Sequence, residues 1–276
     1  MSTKFRTMLI VIVAALATLA PVCVLSGGDT SSKNGSIELS EGALVEVFGE
    51  NAEVRIRRVS TDTLRWDITL HNGEFVDFYT QSLTDKTVDH YVISATTSTG
   101  GATTANSVLE LSVPDGIQLV VQSTNRPIAV EEITVISASL TTTNGEISVT
   151  NSTGDFELNT NNSEVTVQAV TGQVDVTTTN AHVWFEGVVT DGSNSISTTN
   201  GDIAVRLGGG SNVQVSGSTH NGDVTVNGGS DSVQKDGDTA SFEYSTGDGS
   251  AALNISNGPG AIHINPDTIA MFDGDG

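Results

Sequence analysis

Between Gly145 and Val226 the apolar and polar positions follow one short phrase: a small residue, any residue, an apolar one, any residue, an apolar one. It reads Gly145-Glu-Ile147-Ser-Val149, Gly154-Asp-Phe156-Glu-Leu158, Ser163-Glu-Val165-Thr-Val167, Gly172-Gln-Val174-Asp-Val176 and Ala181-His-Val183-Trp-Phe185. The small residues stand at 145, 154, 163, 172 and 181, a step of nine, and the phrase returns more loosely at Gly201, Ser211 and Gly222. Alternation with period two predicts strands with one buried face. A fixed step predicts that the strands stack as repeats.

The corners between phrases alternate in chemistry. Asn144-Gly145, Asn162-Ser163, Asn180-Ala181 and Asn200-Gly201 mark one kind, and Thr153-Gly154, Thr171-Gly172 and Asp191-Gly192 the other. The unit is therefore two strands, and its period is 18 residues from Asn144 to Asn162 and again to Asn180. Asn and Gly suit corners that need positive φ, so that backbone is expected at both kinds. One unit cannot bury its own apolar face, whereas stacked copies enclose a continuous core between two sheets. The expected fold is all-β, a repeat-rich β-solenoid or β-helix-like stack of short strands. An antiparallel β-meander sandwich is the alternative, since tight Asn-Gly turns also close hairpins.

From Ile37 to Gln122 the alternation is less regular. Leu44–Val47, Ala52–Arg57, Leu64–Leu70, Phe75–Tyr79 and Val108–Val113 suit strands, separated by turns at His71–Gly73, Ser98–Gly101 and Pro114–Gly116. No long run has helical spacing. Residues 187–194 interrupt the step and read as an inserted rim loop, and residues 231–241 form a second polar interruption. The resulting division is 1–27 as a signal peptide or N-terminal membrane anchor, 28–36 as a flexible tether and 37–266 as the β-strand repeat domain. That domain is irregular over 37–125 and regular over 126–266, and residues 267–276 follow it as an acidic disordered tail.

The N-terminal assignment rests on Lys4 and Arg6 ahead of an apolar run from Met8 to Leu19, the layout of a secretory signal. Cleavage near Ser26, an uncleaved anchor and a lipid-attached Cys23 are three outcomes of that layout, and all place the remainder outside the cytoplasmic membrane. Cys23 is the only cysteine, so packing rather than disulfides must hold the repeats. The chain of 276 residues carries 33 Asp and Glu against 11 Lys and Arg, a formal net charge of -22. Such a surface repels phosphate backbones and excludes nucleic acid as an expected partner.

Val113-Pro-Asp-Gly116, Leu119-Val-Val121, Ser123-Thr-Asn125 and Thr142-Thr-Asn-Gly-Glu-Ile147 together carry a resemblance. They resemble the family of proposed adhesins built from β-strand repeats, a domain of unknown function. The resemblance spans residues 44–264 and departs at Arg126-Pro127, which stand where the first Asn-Gly corner belongs. It implies a surface role and carries no active site.

If the apolar members of each phrase point inward, Glu146/Ser148, Glu164/Thr166, His182/Trp184 and Asp202/Ala204 form one outer column. Asp155/Glu157, Gln173/Asp175 and Asn212/Gln214 form the opposite one. Asp155, Glu157 and Asp175 are the candidate metal residues, because stacked carboxylates about 4.8 Å apart repel unless a cation screens them. Calcium is the one cofactor this suggests, although no calcium-loop motif is present and plain solvated charge is the competing reading. Trp184, with His182 beside it, is the candidate binding site: a stacking platform for a sugar or protein, or else a side chain covered by the 187–194 segment.

Catalytic motifs do not appear. The five histidines lack ligand spacing, and beyond Arg126 the only basic residues are Arg206 and Lys235. The expectation is an exported, non-catalytic protein of the cell surface, periplasm or medium. It would bind a glycan or protein partner and meet the membrane only through its N-terminal segment. A polysaccharide-active β-helix enzyme and an envelope-stress or assembly accessory are the alternatives. Sequons at Asn34, Asn151, Asn161 and Asn254 add candidate glycosylation sites.

Overall fold

The computed structural model describes residues 23–26, 30–71, 75–85, 88–97, 107–227 and 230–265. Among them are twenty-four strands and no helix. The fold is all-β, with two sheets that face each other and exchange the chain at every corner. Within the regular repeats, the first sheet takes Thr134–Thr141, Thr153–Asn159, Val174–Thr178 and Ser193–Thr198, paired parallel. The second takes Ile147–Thr150, Val165–Gly172, Val183–Val189 and Ile203–Leu207, also parallel. Each coil is one strand of the first sheet, an Asn-bearing corner, one strand of the second and a Gly-bearing corner. This is the solenoid-like stack that the 18-residue period implies; antiparallel pairing is confined to the two ends.

The core fills the space between the sheets with columns of side chains in register. Val54, Ile128, Ile147, Val165, Val183, Ile203 and Ile262 make one column, each fully buried. Burying aliphatic side chains of this size contributes about 1.5–3 kcal/mol apiece, which is how a chain without disulfides holds the stack. At the Asn corner the core ends in a polar column of Thr142, Thr160, Thr178, Thr198, Asn257 and Thr219, all buried. Several of these hydroxyls bond corner carbonyls, as Thr160 does to Gly145 O at 3.2 Å and Thr198 to Ala181 O at 3.0 Å.

The two corners use glycine and asparagine for different reasons, which corrects the expectation of positive φ at both. At the Gly corner φ is +144° at Gly154, +152° at Gly172 and +137° at Gly192, and Asn151 and Ala169 also turn through positive φ. At the Asn corner only Asn221 has positive φ. There glycine is needed for approach: a Cβ on Gly145 would fall 2.0 Å from the Arg126 carbonyl oxygen, and one on Gly201 2.1 Å from that of Ala181. The asparagines form a ladder in which each Nδ2 donates to the Oδ1 of the preceding coil, from Asn200 through Asn180, Asn162, Asn144 and Asn125 to Asn51, at 2.7–2.9 Å.

Each end of the stack is closed by antiparallel strands. Thr30–Glu38 pairs with Thr63–His71 over its full length, and Thr63–His71 with Val108–Val113. Residues 30–36, expected to belong to a flexible tether, are thus strand, held by backbone pairing and by a close contact at Gly35. That contact is Trp66 against Gly35, where a Cβ would lie 2.1 Å from the indole Cζ2. The far end repeats the device, with Phe242 of Thr239–Thr246 opposite Gly217 of Val213–His220. A Cβ on Gly217 would meet the Phe242 ring at 2.7 Å. The polar stretch 231–241 belongs to this capping hairpin, Ser230–Asp236 and Thr239–Thr246.

Cys23–Ser26 pairs antiparallel with Phe75–Asp85. Residues 1–22 and 27 of the expected leader at 1–27 and the tail from 267 lie outside the described residues, as do the turns at 72–73 and 98–101. No helix among the described residues is long and apolar enough to cross a membrane.

Candidate functional site

Two outer faces result from this architecture, and the register decides what shares each. On the first sheet Ser139, Glu157, Asp175, Ser195, Asn254 and Ser216 form one outward column. Thr141, Asn159, Thr177, Ser197, Ser256 and Ser218 form a second, two residues along. Neighbours are linked: Ser195 Oγ donates to Asp175 Oδ1 at 2.6 Å, Asn159 Nδ2 to Glu157 Oε1 at 3.3 Å, and Ser216 Oγ to Asn254 Oδ1 at 3.1 Å. The result is a polar lattice spaced about 4.8 Å between coils.

Of the candidate metal residues, Glu157 and Asp175 are direct neighbours in register, while Asp155 sits two residues away beside Ser137. Among the described residues no three His, Cys, Asp or Glu side chains gather closely enough to hold a metal ion. Ser195 takes the place next to Asp175, and the expected successors Asn212 and Gln214 are displaced from it. Gln214 pairs with Ala252, because the coil containing residues 251–257 intervenes.

His182 and Trp184 lie on the opposite outer face, that of the second sheet, with Trp184 in the column Ser148, Thr166, Trp184, Ala204, His263. His182 Nδ1 accepts the Asp202 N–H at 2.8 Å. Trp184 stands outward as its register requires, yet it is 5% exposed and Ala204 beneath the same face is fully buried. The Arg206 guanidinium sits 5.7 Å from the Trp184 ring centroid and 3.8 Å from Glu186. A cation on an indole face is an attractive contact. Sequence reasoning named Trp184 and counted Arg206 among the few basic residues without connecting them; the link is the 20-residue coil that sets Glu186 opposite Arg206.

Glu146 precedes Ile147 and Glu164 precedes Val165 on adjacent coils, joined through Ile147 N–H to Glu164 O at 3.1 Å. The Glu146 carboxyl is held above the usual carboxylate range, first by partial desolvation and then by the charge of Glu164.

The break at residues 187–194 is not a loop. Gly187–Val189 completes the strand Val183–Val189, and Ser193–Asn194 begins Ser193–Thr198. What the break contains is Asn194, 1% exposed, occupying an inward position of the core. Its Oδ1 accepts Val174 N–H at 2.8 Å, and its Nδ2 reaches Ala252 O at 3.0 Å and Thr190 O at 3.2 Å. The sequence signal for it was the lost step itself, with a polar residue where an apolar one was due.

The sequence profile of the Toastrack DUF4097 family matches residues 93–265, more than half of the chain, and the protein belongs to that family. This is a domain of unknown function, and it indicates no catalytic family. No curated protein matches the sequence. Among solved structures, a proposed cell adhesion protein from Clostridium sporogenes is similar with a TM-score of 0.45 and 12% identity, over 86% of this chain and 99% of that one. A proposed adhesin from Parabacteroides merdae is similar with a TM-score of 0.37 and 13% identity, over 87% and 97%.

Proposed function

We propose that this protein is an exported, non-catalytic binding protein of the cell surface that engages an extracellular glycan or protein through the outer face of its first sheet. The observation that carries the reading is the unbroken register of polar side chains across six coils, from Ser139 and Thr141 to Ser216 and Ser218, all of them Ser, Thr or Asn except Glu157 and Asp175. These residues hang on strands whose other side chains are core, so the lattice is rigid and costs little ordering on binding. Each Ser, Thr or Asn supplies both a donor and an acceptor, the chemistry that hydroxyl-rich ligands match. Single contacts of this kind are weak, and many of them on one face, or several copies on one cell, add up through effective concentration.

The N-terminal apolar run supports export, with the membrane reached only through that segment. Incubating the full chain with a panel of soluble and immobilised glycans, with and without calcium, tests the reading. Saturable retention with no new reducing or unsaturated ends is the expected result. Released ends would identify an enzyme instead, and retention only with calcium would give Glu157 and Asp175 a metal role.

A further inference from the structure

The coils follow chain order through the middle of the stack and leave it at both ends. Leu44–Gly49 lies between Val88–Thr97 and Gln118–Ser123, and its continuation Glu53–Arg58 between Val108–Val113 and Ile128–Glu131. At the other end Ala251–Asn257 lies between Ser193–Thr198 and Val213–His220, and Ile262–Ile264 between Ile203–Leu207 and Val224–Val226. The chain skips a rung after Leu207, builds the end coil and its capping hairpin, and comes back to fill the rung it left.

The returning coil fits without slack. A Cβ on Gly258 would fall 2.0 Å from the Thr199 carbonyl oxygen, one on Gly260 2.0 Å from that of Gly201, and one on Gly222 1.9 Å from that of Gly260. These three glycines let the displaced coil stack as tightly on both neighbours as the regular coils stack on each other. The chain enters it through a turn at Gly247 and Gly249, both at positive φ.

In a solenoid laid down in order, the last repeat has one neighbour and opens first. Here the displaced coil is hydrogen-bonded on both sides in both sheets. The true end coil and hairpin, residues 208–227 and 230–250, leave the body after Leu207 and return to it at Ala251, so both ends are anchored. Releasing such a loop gains less conformational freedom than releasing a tail. Tyr244 of the hairpin is tied to the returning coil's exit as well, accepting Asn265 Nδ2 at 2.7 Å.

We propose that the displaced coil Ala251–Asn257 and Ile262–Ile264 locks the far end of the stack, so that this end does not fray and opens only together with the body. This is a property of the fold and does not depend on what the outer faces bind. The test is to insert a recognition sequence for a site-specific protease between Asp248 and Gly249 of the full chain, cleave to completion, and run the product by gel filtration in native buffer. The fragment carrying Ala251–Asn257 stays with the body and leaves only across the unfolding transition of the whole molecule. A fragment that separates in native buffer overturns the lock. Amide hydrogen exchange on the unaltered chain covers the case in which the insertion prevents folding. Protected amides of Ala251–Asn257 exchange within tenfold of those of Val165–Gly172; exchange more than a hundredfold faster overturns it, and an intermediate gradient rising toward residue 265 does so too, because that is fraying.

Discussion

The Asn194 side chain accepts the backbone N–H of Val174 at 2.8 Å, and through its amide it also holds carbonyls of Thr190 and Ala252. One buried polar residue therefore joins three successive rungs of the first sheet at the place where the repeat lengthens and chain order breaks.

Replacing Asn194 with Leu separates this role from packing. Leucine matches the neighbouring core chemistry and would stabilise a merely under-filled site. Because it strands a buried N–H and two carbonyls, N194L is expected to lose about 3 kcal/mol or more in urea denaturation. A variant as stable as the parent would refute the role.

The asparagine ladder is exposed, yet every internal member makes two amide bonds. Asn162→Ala removes both, and at about 0.5–1.5 kcal/mol per bond the expected loss is about 1–3 kcal/mol. Asn161→Ala, one residue away, is expected within about 0.5 kcal/mol of the parent. Equal effects at the two positions would mean that the ladder adds nothing.

Trp184 is buried, so Trp184→Ala is expected to cost about 3 kcal/mol, with Trp184→Phe recovering much of it. In a Trp66→Phe background, Arg206→Ala uncovers the ring and shifts the remaining tryptophan emission to the red. An unchanged spectrum and an unchanged melting temperature in W184A would return Trp184 to the role of an exposed platform.

Glu146 gives a pH dependence of defined sign. Its folded pKa is raised by desolvation and by Glu164. The ionised form is therefore the strained one: the contribution is fully favourable below the ordinary carboxylate range and is lost as pH rises through the raised value. Glu146→Gln is expected to stabilise the protein slightly at pH 7, by a few tenths of a kcal/mol, about what a solvent-screened charge contributes. The gain should vanish near pH 3, and added salt should shrink it. Greater stabilisation at pH 3 than at pH 7 would reverse the assignment.

Much of this fold was legible in the alternation of residues 145–185, because strand period and repeat step are both local signals. The apolar columns through Val165 and Phe156 follow directly from it. The displaced coils were not legible, since the phrases at 213–226 and 251–264 look alike and nothing local says which stacks on Ile203–Leu207. Polar strands such as Thr30–Glu38 were missed for a related reason: their pairing rests on backbone bonds and on Trp66 over Gly35, not on their own hydrophobicity. The outward side of Trp184 could be read from its register. Its burial depends on Arg206 and on Ala204 a coil away, which period alone does not reveal.

If the outer face of the first sheet does the binding, charge placed on that face abolishes it. The pair Thr177→Lys and Ser197→Lys sits in the middle of the lattice, while Thr150→Lys and Gln168→Lys sit on the outer face of the second sheet. Retention of each full-length variant on the surface that holds the parent is measured beside its melting temperature. The first pair is expected to lose saturable retention and the second to keep it, with all variants folded. Retention that survives the first pair and fails with the second would contradict that expectation.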